Sequence, residues 1–87
     1  MILEQEFILR NFAGETVLIP LANKNDTFDG IISLNETSEF IWKQIENGKE
    51  HDEIVESLLN EYEVDKEKAS QDVNAFCDKL RKLGILE

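Results

Sequence analysis

The sequence predicts an α+β domain of the winged helix-turn-helix type, in which three antiparallel strands are followed by three helices (βββααα). Apolar residues recur at every second position before Asn35 and at helical spacings of three and four after it. The connections between the first segments are short, which favours an antiparallel meander. A chain of 87 residues has room for one domain. We therefore expect residues 1–87 to form a single domain.

Turn-forming segments separate the three predicted strands. The first strand, Glu6–Phe12, is followed by a tight turn in which Gly14 supplies a positive φ. The second, Thr16–Leu21, contains Pro20, which cannot donate to a ladder and is expected at the end of the strand. A polar loop then leads to the third strand, Phe28–Leu34. One face of the second strand carries three apolar residues, Val17, Ile19 and Leu21.

The third strand is predicted to pass into the first helix without a loop. Asn35 can accept a hydrogen bond from the first turn of a helix, so we expect it to cap a helix over Glu36–Glu46. A second helix is predicted over Glu50–Glu63, and Asp65 is expected to cap a third that extends to about Leu83. The apolar faces of these elements predict a core of Leu34, Ile41, Ile45, Ile54, Leu58, Val73, Phe76 and Leu80.

Charge and cysteine content narrow the possible functions. The net charge is −10, which disfavours nucleic acid and anionic membranes as partners. Residues 1–64 contain fourteen acidic and four basic side chains, whereas residues 65–83 contain four acidic and five basic ones. The N-terminal sequence lacks the basic start of a secretory signal. The chain has a single cysteine, which suits a reducing compartment. We expect a soluble, cytoplasmic protein, with a monomer slightly favoured.

Few residues of the sequence suggest catalysis. His51 is the only histidine and Cys77 the only cysteine, which is too little for a nucleophile and its base. A buried, unreactive role is the favoured interpretation of Cys77. The acidic residues around Glu53 are typical of the solvated face of a helix. The sequence shows no metal-ligand spacing and no glycine-rich phosphate loop, so we expect no cofactor, no metal and no enzymatic activity.

Several strings of the sequence resemble the PqqD-like proteins, also called RiPP recognition elements. They are A-G-E-T-V-L-I-P at 13–20, L-N-E-T-x-x-F-I-W at 34–42, V-D at 64–65 and F-x-x-x-L-x-x-x-G-I-L at 76–86. The resemblance covers nearly the whole chain in order. It implies three antiparallel strands followed by three helices. It also implies a protein that binds the leader segment of a ribosomally made precursor peptide and presents it to a modifying enzyme, often a radical SAM enzyme.

The resemblance also implies where the leader binds. It would add as a strand beside the third strand and lie in the groove between that strand and the third helix, a form of β-augmentation. A strand edge that stays unpaired favours aggregation, so an open edge is more easily explained if a ligand pairs with it. On this chain the implied peptide-binding residues are Phe28, Gly30, Ile31, Ile32, Ser33, Phe76, Lys79, Leu80 and Leu83.

Other interpretations of the same residues remain open. Ile32 can be a core residue and Ile31 an ordinary exposed one. Phe76, Leu80 and Leu83 are first of all core candidates, with their outer edges available to line a groove. Lys79, Arg81 and Lys82 can steer an acidic leader or simply interact with the helix dipole, and the sequence favours neither. The main alternative function is a winged-helix nucleic-acid-binding regulator, although residues 50–64 are strongly acidic. A purely structural subunit of an enzyme is a third possibility.

Overall fold

The computed structural model describes residues 1–21 and 30–87 and has the predicted βββααα order. The three strands form one antiparallel sheet in the order β1-β2-β3, and the fold class predicted from the sequence is confirmed. The helices follow the sheet in the chain. The elements are β1 Phe7–Phe12, β2 Glu15–Pro20, β3 Ile32–Leu34, α1 Glu36–Glu46, α2 His51–Glu61 and α3 Lys66–Lys82.

The β1–β2 hairpin sets the register of the sheet. Its turn residues, Ala13 and Gly14, have φ values of 51° and 84°. Two successive positive φ values are typical of the tight turns whose twist matches that of antiparallel strands. Leu18 then lies between Leu9 of β1 and Ile32 of β3.

The third strand is shorter than predicted. We expected Phe28–Leu34, but within the described residues β3 begins at Ile32, and Phe28 lies outside them. The β2–β3 ladder ends at the pair Leu18–Ile32. Two positions further along β2 is Pro20, which has no N–H to donate, so the ladder has little scope to continue.

The buried face of β2 is not the one that carries the most apolar residues. Leu18 is fully buried and belongs to the main core. Val17 and Ile19 point to the other face with Ser33, because side chains alternate along a strand, and Val17 is also buried but lies outside the main core cluster. Both faces of β2 are apolar, so alternation alone could not identify the core side.

The core lies between the sheet and the three helices. All eight residues predicted from the apolar faces are buried, which confirms those assignments. Phe7 and Trp42 meet edge to face, with ring centroids 5.7 Å apart. Ile85 and Leu86 follow α3 and are buried against the same core. The segment before β1 packs beside them through a bridge between Leu3 and Leu86.

Helix capping places the strand-to-helix junction as predicted. The Asn35 side chain accepts a hydrogen bond from the backbone N–H of Ser38 (2.8 Å), and Ser38 Oγ accepts one from the Asn35 N–H (2.9 Å). This reciprocal capping box satisfies two donors at the start of α1. Asp65 likewise caps α3 by accepting from the N–H of Lys68 (2.7 Å). The first turn of α1 therefore lies directly beside the end of β3.

Candidate functional site

A groove of about 530 Å³ lies where β3, the start of α1 and one side of α3 meet. Each of these elements is positioned by features of the sequence already described. The Asn35 cap holds α1 against the end of β3, and the Asp65 cap begins α3 on the far side of the groove. The lining consists of Ser33, Asn35, Thr37, Ser38, Ile41, Val64, Lys68, Asp72, Ala75, Phe76 and Lys79.

One wall of the groove is the outer edge of β3. This strand is at the end of the sheet order, and among the described residues no further strand pairs with its outer edge. Ser33 is exposed there, and its Oγ donates a hydrogen bond to Oε1 of Glu15 (2.8 Å). Ile31, immediately before β3, is 65% exposed, the highest value among the exposed large apolar residues. An unpaired strand edge beside an exposed apolar side chain is a template for pairing with another extended chain.

The floor of the groove is apolar and continuous with the core. Phe76 of α3 retains 8% exposure and Ile41 of α1 retains 1%. Val64, before α3, is 37% exposed. Ala75, which precedes Phe76 on α3, is also exposed. A ligand in the groove would therefore cover apolar surface that the fold leaves partly in water.

Charged residues of α3 line the third side of the groove. Lys68 Nζ donates to Asp72 Oδ1 at 2.8 Å, an i,i+4 pair on the helix surface. The same hydrogen bond raises the pKa of Lys68 above its ordinary value, because the carboxylate stabilises the ammonium form. Lys79 lies about two turns beyond Asp72 on α3 and is exposed. Among the described residues, no carboxylate forms an ion pair with it.

The predicted site residues fall into three groups. Ser33, Phe76 and Lys79 all line the groove, and Ile31 is exposed at the start of its edge. Ile32 and Leu80 are 4% and 0% exposed, so the side chains of both belong to the core and not to a contact surface. Gly30, which precedes β3, and Leu83, which is half-buried against the core, are not among the lining residues. Phe28 lies outside the described residues.

Sequence reasoning missed the polar residues of the lining. Asn35, Thr37 and Ser38 belong to the first turn of α1, which the loopless junction brings beside the strand edge. The signal was present in the Asn35 cap, but only its structural role was considered. Lys68, Asp72, Ala75, Phe76 and Lys79 recur at spacings of one, three and four, which place them on one side of α3.

Cys77 is buried in the core, and His51 lies at the start of α2. Cys77 is 1% exposed, and burial raises the pKa of its thiol, which favours the unreactive protonated form. Its Sγ lies 3.7 Å from Sδ of Met1. His51 begins α2, with Nδ1 3.3 Å from Oδ1 of Asp52. Within residues 1–21 and 30–87, no three histidine, cysteine or acidic side chains are grouped as metal ligands.

A second cavity lies beside β1, at the opposite end of the sheet from β3. It has a volume of about 420 Å³ and is formed by the segment before β1, the start of β1 and the end of α1. Its lining includes Trp42 and three glutamates, Glu4, Glu6 and Glu46.

For the part of the chain described, no helix is long and apolar enough to cross a membrane.

Comparison with known proteins relates this fold to one family. A solved structure described as TbiB1 in complex with the TbiA(beta) leader peptide matches with a TM-score of 0.78 and 26% sequence identity. The match covers 100% of this chain and 95% of TbiB1. Comparison with curated proteins gives no significant match. The model of the family described as coenzyme PQQ synthesis protein D (PqqD) matches residues 15–86. The chain therefore belongs to the PqqD family.

Proposed function

We propose that this protein binds the leader segment of a ribosomally made precursor peptide and presents it to a modifying enzyme, such as a radical SAM maturase. The observation that carries the proposal is the groove between β3 and α3 on a chain whose whole length matches TbiB1. In this proposal the domain spans residues 1–87, works in the cytoplasm and has no catalytic activity of its own. The chemistry belongs to the partner enzyme.

The leader would bind as an additional strand beside β3. Its backbone would pair with Ile32–Leu34, and alternate side chains would enter the groove. Three residues provide about two or three backbone hydrogen bonds, each contributing about 0.5–1.5 kcal/mol net. Micromolar affinity requires about 8 kcal/mol, so backbone pairing alone is insufficient. The remaining affinity would have to come from the apolar surface that stays accessible in the groove, which Val64, Ala75 and the outer edge of Phe76 provide.

The nucleic-acid alternative has less support. The exposed face of α2 carries four acidic residues, and the floor of the groove is apolar. Carboxylates on a helix presented to DNA would repel its phosphates. The acidic residues of α2 are Asp52, Glu53, Glu56 and Glu61.

Hydrogen–deuterium exchange with candidate leader peptides tests the proposal. The probes are synthetic N-terminal segments of any short peptides encoded beside this chain's gene, with the TbiA(beta) leader as a heterologous comparator. We expect a peptide that binds by calorimetry to slow amide exchange within residues 31–34 and along α3. Exchange in β1, at the other end of the sheet, should be unchanged. Absence of binding by every probe, or protection confined to β1, would contradict the proposal.

A further inference from the structure

The groove contains one lysine for which the protein supplies no counter-ion in its described part. Of the basic residues in and near α3, Lys68 pairs with Asp72, and Arg81 pairs with Asp78 and donates from Nε to the carbonyl oxygen of Glu87 (3.1 Å). Two others, Lys66 and Lys82, are absent from the groove lining. Lys79 is the exception, because it lines the groove and has no ion pair among the described residues.

The helix dipole does not explain why Lys79 lies on this side of α3. Both Lys79 and Lys82 belong to the last turn of the helix, where a positive charge interacts favourably with the dipole. Any position in that turn provides the interaction, including Lys82, which lies outside the groove. The position of Lys79 beside Phe76 therefore calls for a second explanation.

The local charge of the groove is opposite to that of the whole protein. Its lining contains Lys68, Asp72 and Lys79, a net charge of +1, on a chain with a net charge of −10. At physiological salt, charges more than about 8 Å apart at the surface are largely screened, so a bound peptide interacts mainly with the lining. Because Asp72 is already paired, the unbalanced charge that the peptide meets is that of Lys79.

Helix and strand geometry specify where the complementary residue of the peptide lies. Phe76 and Lys79 are three residues apart on α3, which separates them by about 4.5 Å along the helix axis. In an extended peptide that runs along α3, groove-facing residues are two positions apart, or about 6.6 Å. The flexible lysine stem accommodates the difference. Successive groove-facing side chains can thus pack on Phe76 and pair with Lys79.

We infer that the leader recognised by this protein carries an aspartate or glutamate that pairs with Lys79, separated by one residue from an apolar side chain that packs on Phe76. The inference rests on the proposed function and specifies the chemistry of its ligand. Lys79 is then a specificity-determining residue, because a basic or neutral residue at that position of the peptide leaves its ammonium without a partner.

A charge-reversal cycle tests the inference. The probe is the synthetic leader peptide that protects residues 31–34 from exchange, together with versions in which each acidic residue is changed singly to lysine. We expect Lys79→Glu to weaken binding of the unchanged peptide about tenfold at low salt, and less at high salt. One of the lysine-substituted peptides should bind Lys79→Glu at least fivefold more tightly than the unchanged peptide does.

Lys82→Glu is the matched control, because it makes the same charge change in the same helical turn but outside the groove. We expect it to change affinity less than twofold. Lys79→Gln, which removes the charge without reversing it, covers the case in which Lys79→Glu fails to fold by circular dichroism. Equal effects of Lys79→Glu and Lys82→Glu, or no rescue by any substituted peptide, would overturn the inference while leaving leader binding intact. Failure of the parent protein to bind any leader would overturn both.

Discussion

The two flanks of the sheet carry cavities of similar size and opposite charge. At the β3 flank, the strand edge opens into a groove whose apolar floor adjoins Lys79. At the β1 flank, a cavity of comparable size is lined by Glu4, Glu6 and Glu46. Both β1 and β3 are end strands of the same sheet. Each of these end strands therefore adjoins a concave surface, and the adjoining helix determines which of the two surfaces suits an extended peptide.

Helix α1 contributes to both flanks and makes their difference possible. Its first residues, capped by Asn35, provide hydroxyl and amide groups to the groove. Its last turns provide Trp42 and Glu46 to the acidic cavity. The carboxylate of Glu46 lies at the end of the helix where the dipole disfavours negative charge. Only the β3 flank has α3 as a second wall, and α3 supplies the aromatic floor and the cation.

The largest expected effects concern the aromatic residues beneath each flank. Phe76 at the groove and Phe7 at the acidic cavity are 8% and 7% exposed. We expect Phe76→Ala and Phe7→Ala each to lower the free energy of unfolding by about 3–5 kcal/mol, because each leaves a cavity in the core. Urea unfolding measures the change. Phe12→Ala is the control: Phe12 is 58% exposed in the hairpin, and its truncation should cost less than about 1 kcal/mol.

A small loss of stability for Phe76→Ala, with the expected loss for Phe7→Ala, would break this part of the comparison. Phe76 would then be a surface residue of the groove and not a shared part of floor and core. A small loss for both variants would show that the assignment of the buried faces is wrong.

The sequence contained most of the information about the fold and less of that about the groove. Period-two and helical spacing predicted every element, and the caps at Asn35 and Asp65 gave the helix starts. The length of β3 was not predictable, because it depends on how the strand pairs with β2 near Pro20. The interpretation of Lys79 also needed the fold. Lys79 and Lys82 are three residues apart and therefore neighbours on one side of α3, so helical spacing could not show that only Lys79 lines the groove.

The next prediction separates the two edges as docking sites. Ile31 beside β3 and Ile8 of β1 point to the same outer face of the sheet at opposite edges. We expect Ile31→Glu to weaken leader binding about tenfold or more, equivalent to about 1.4 kcal/mol, because a carboxylate would be partly desolvated beside the added strand. Ile8→Glu should change affinity less than threefold. Calorimetry measures both, with circular dichroism to confirm folding.

The opposite result would identify the other edge. If Ile8→Glu weakens binding and folded Ile31→Glu does not, the leader pairs with β1 despite the glutamates near that flank. Equal losses would indicate that binding uses the outer face of the sheet and not an edge.

The smallest expected effect concerns Glu39, which connects α1 to the sheet between the two flanks. Its carboxylate accepts a hydrogen bond from Lys43 Nζ (3.0 Å), and this bond, with another from Thr16 of β2, lowers the pKa of Glu39 below its usual 4.5. Because folding favours the ionised form, the contribution to stability is present above about pH 4.5 and is lost as the pH falls through the lowered pKa. We expect Glu39→Gln to lower the free energy of unfolding by about 0.3–0.5 kcal/mol at pH 7, the usual size for an exposed helical ion pair.

The difference between parent and Glu39→Gln should therefore close as the pH falls below about 4.5 and through the lowered pKa of Glu39. Urea unfolding at successive pH values measures it. Glu36→Gln is the control, since Glu36 is an acidic residue of the same first turn for which no ion pair is found in the described part of the chain. Glu36→Gln should lower the free energy of unfolding only by the interaction of one carboxylate with the helix dipole. If the two variants behave alike at every pH, the contacts of Glu39 with Lys43 and Thr16 do not stabilise α1 on the sheet. The position of α1 on the sheet would then depend on core packing alone.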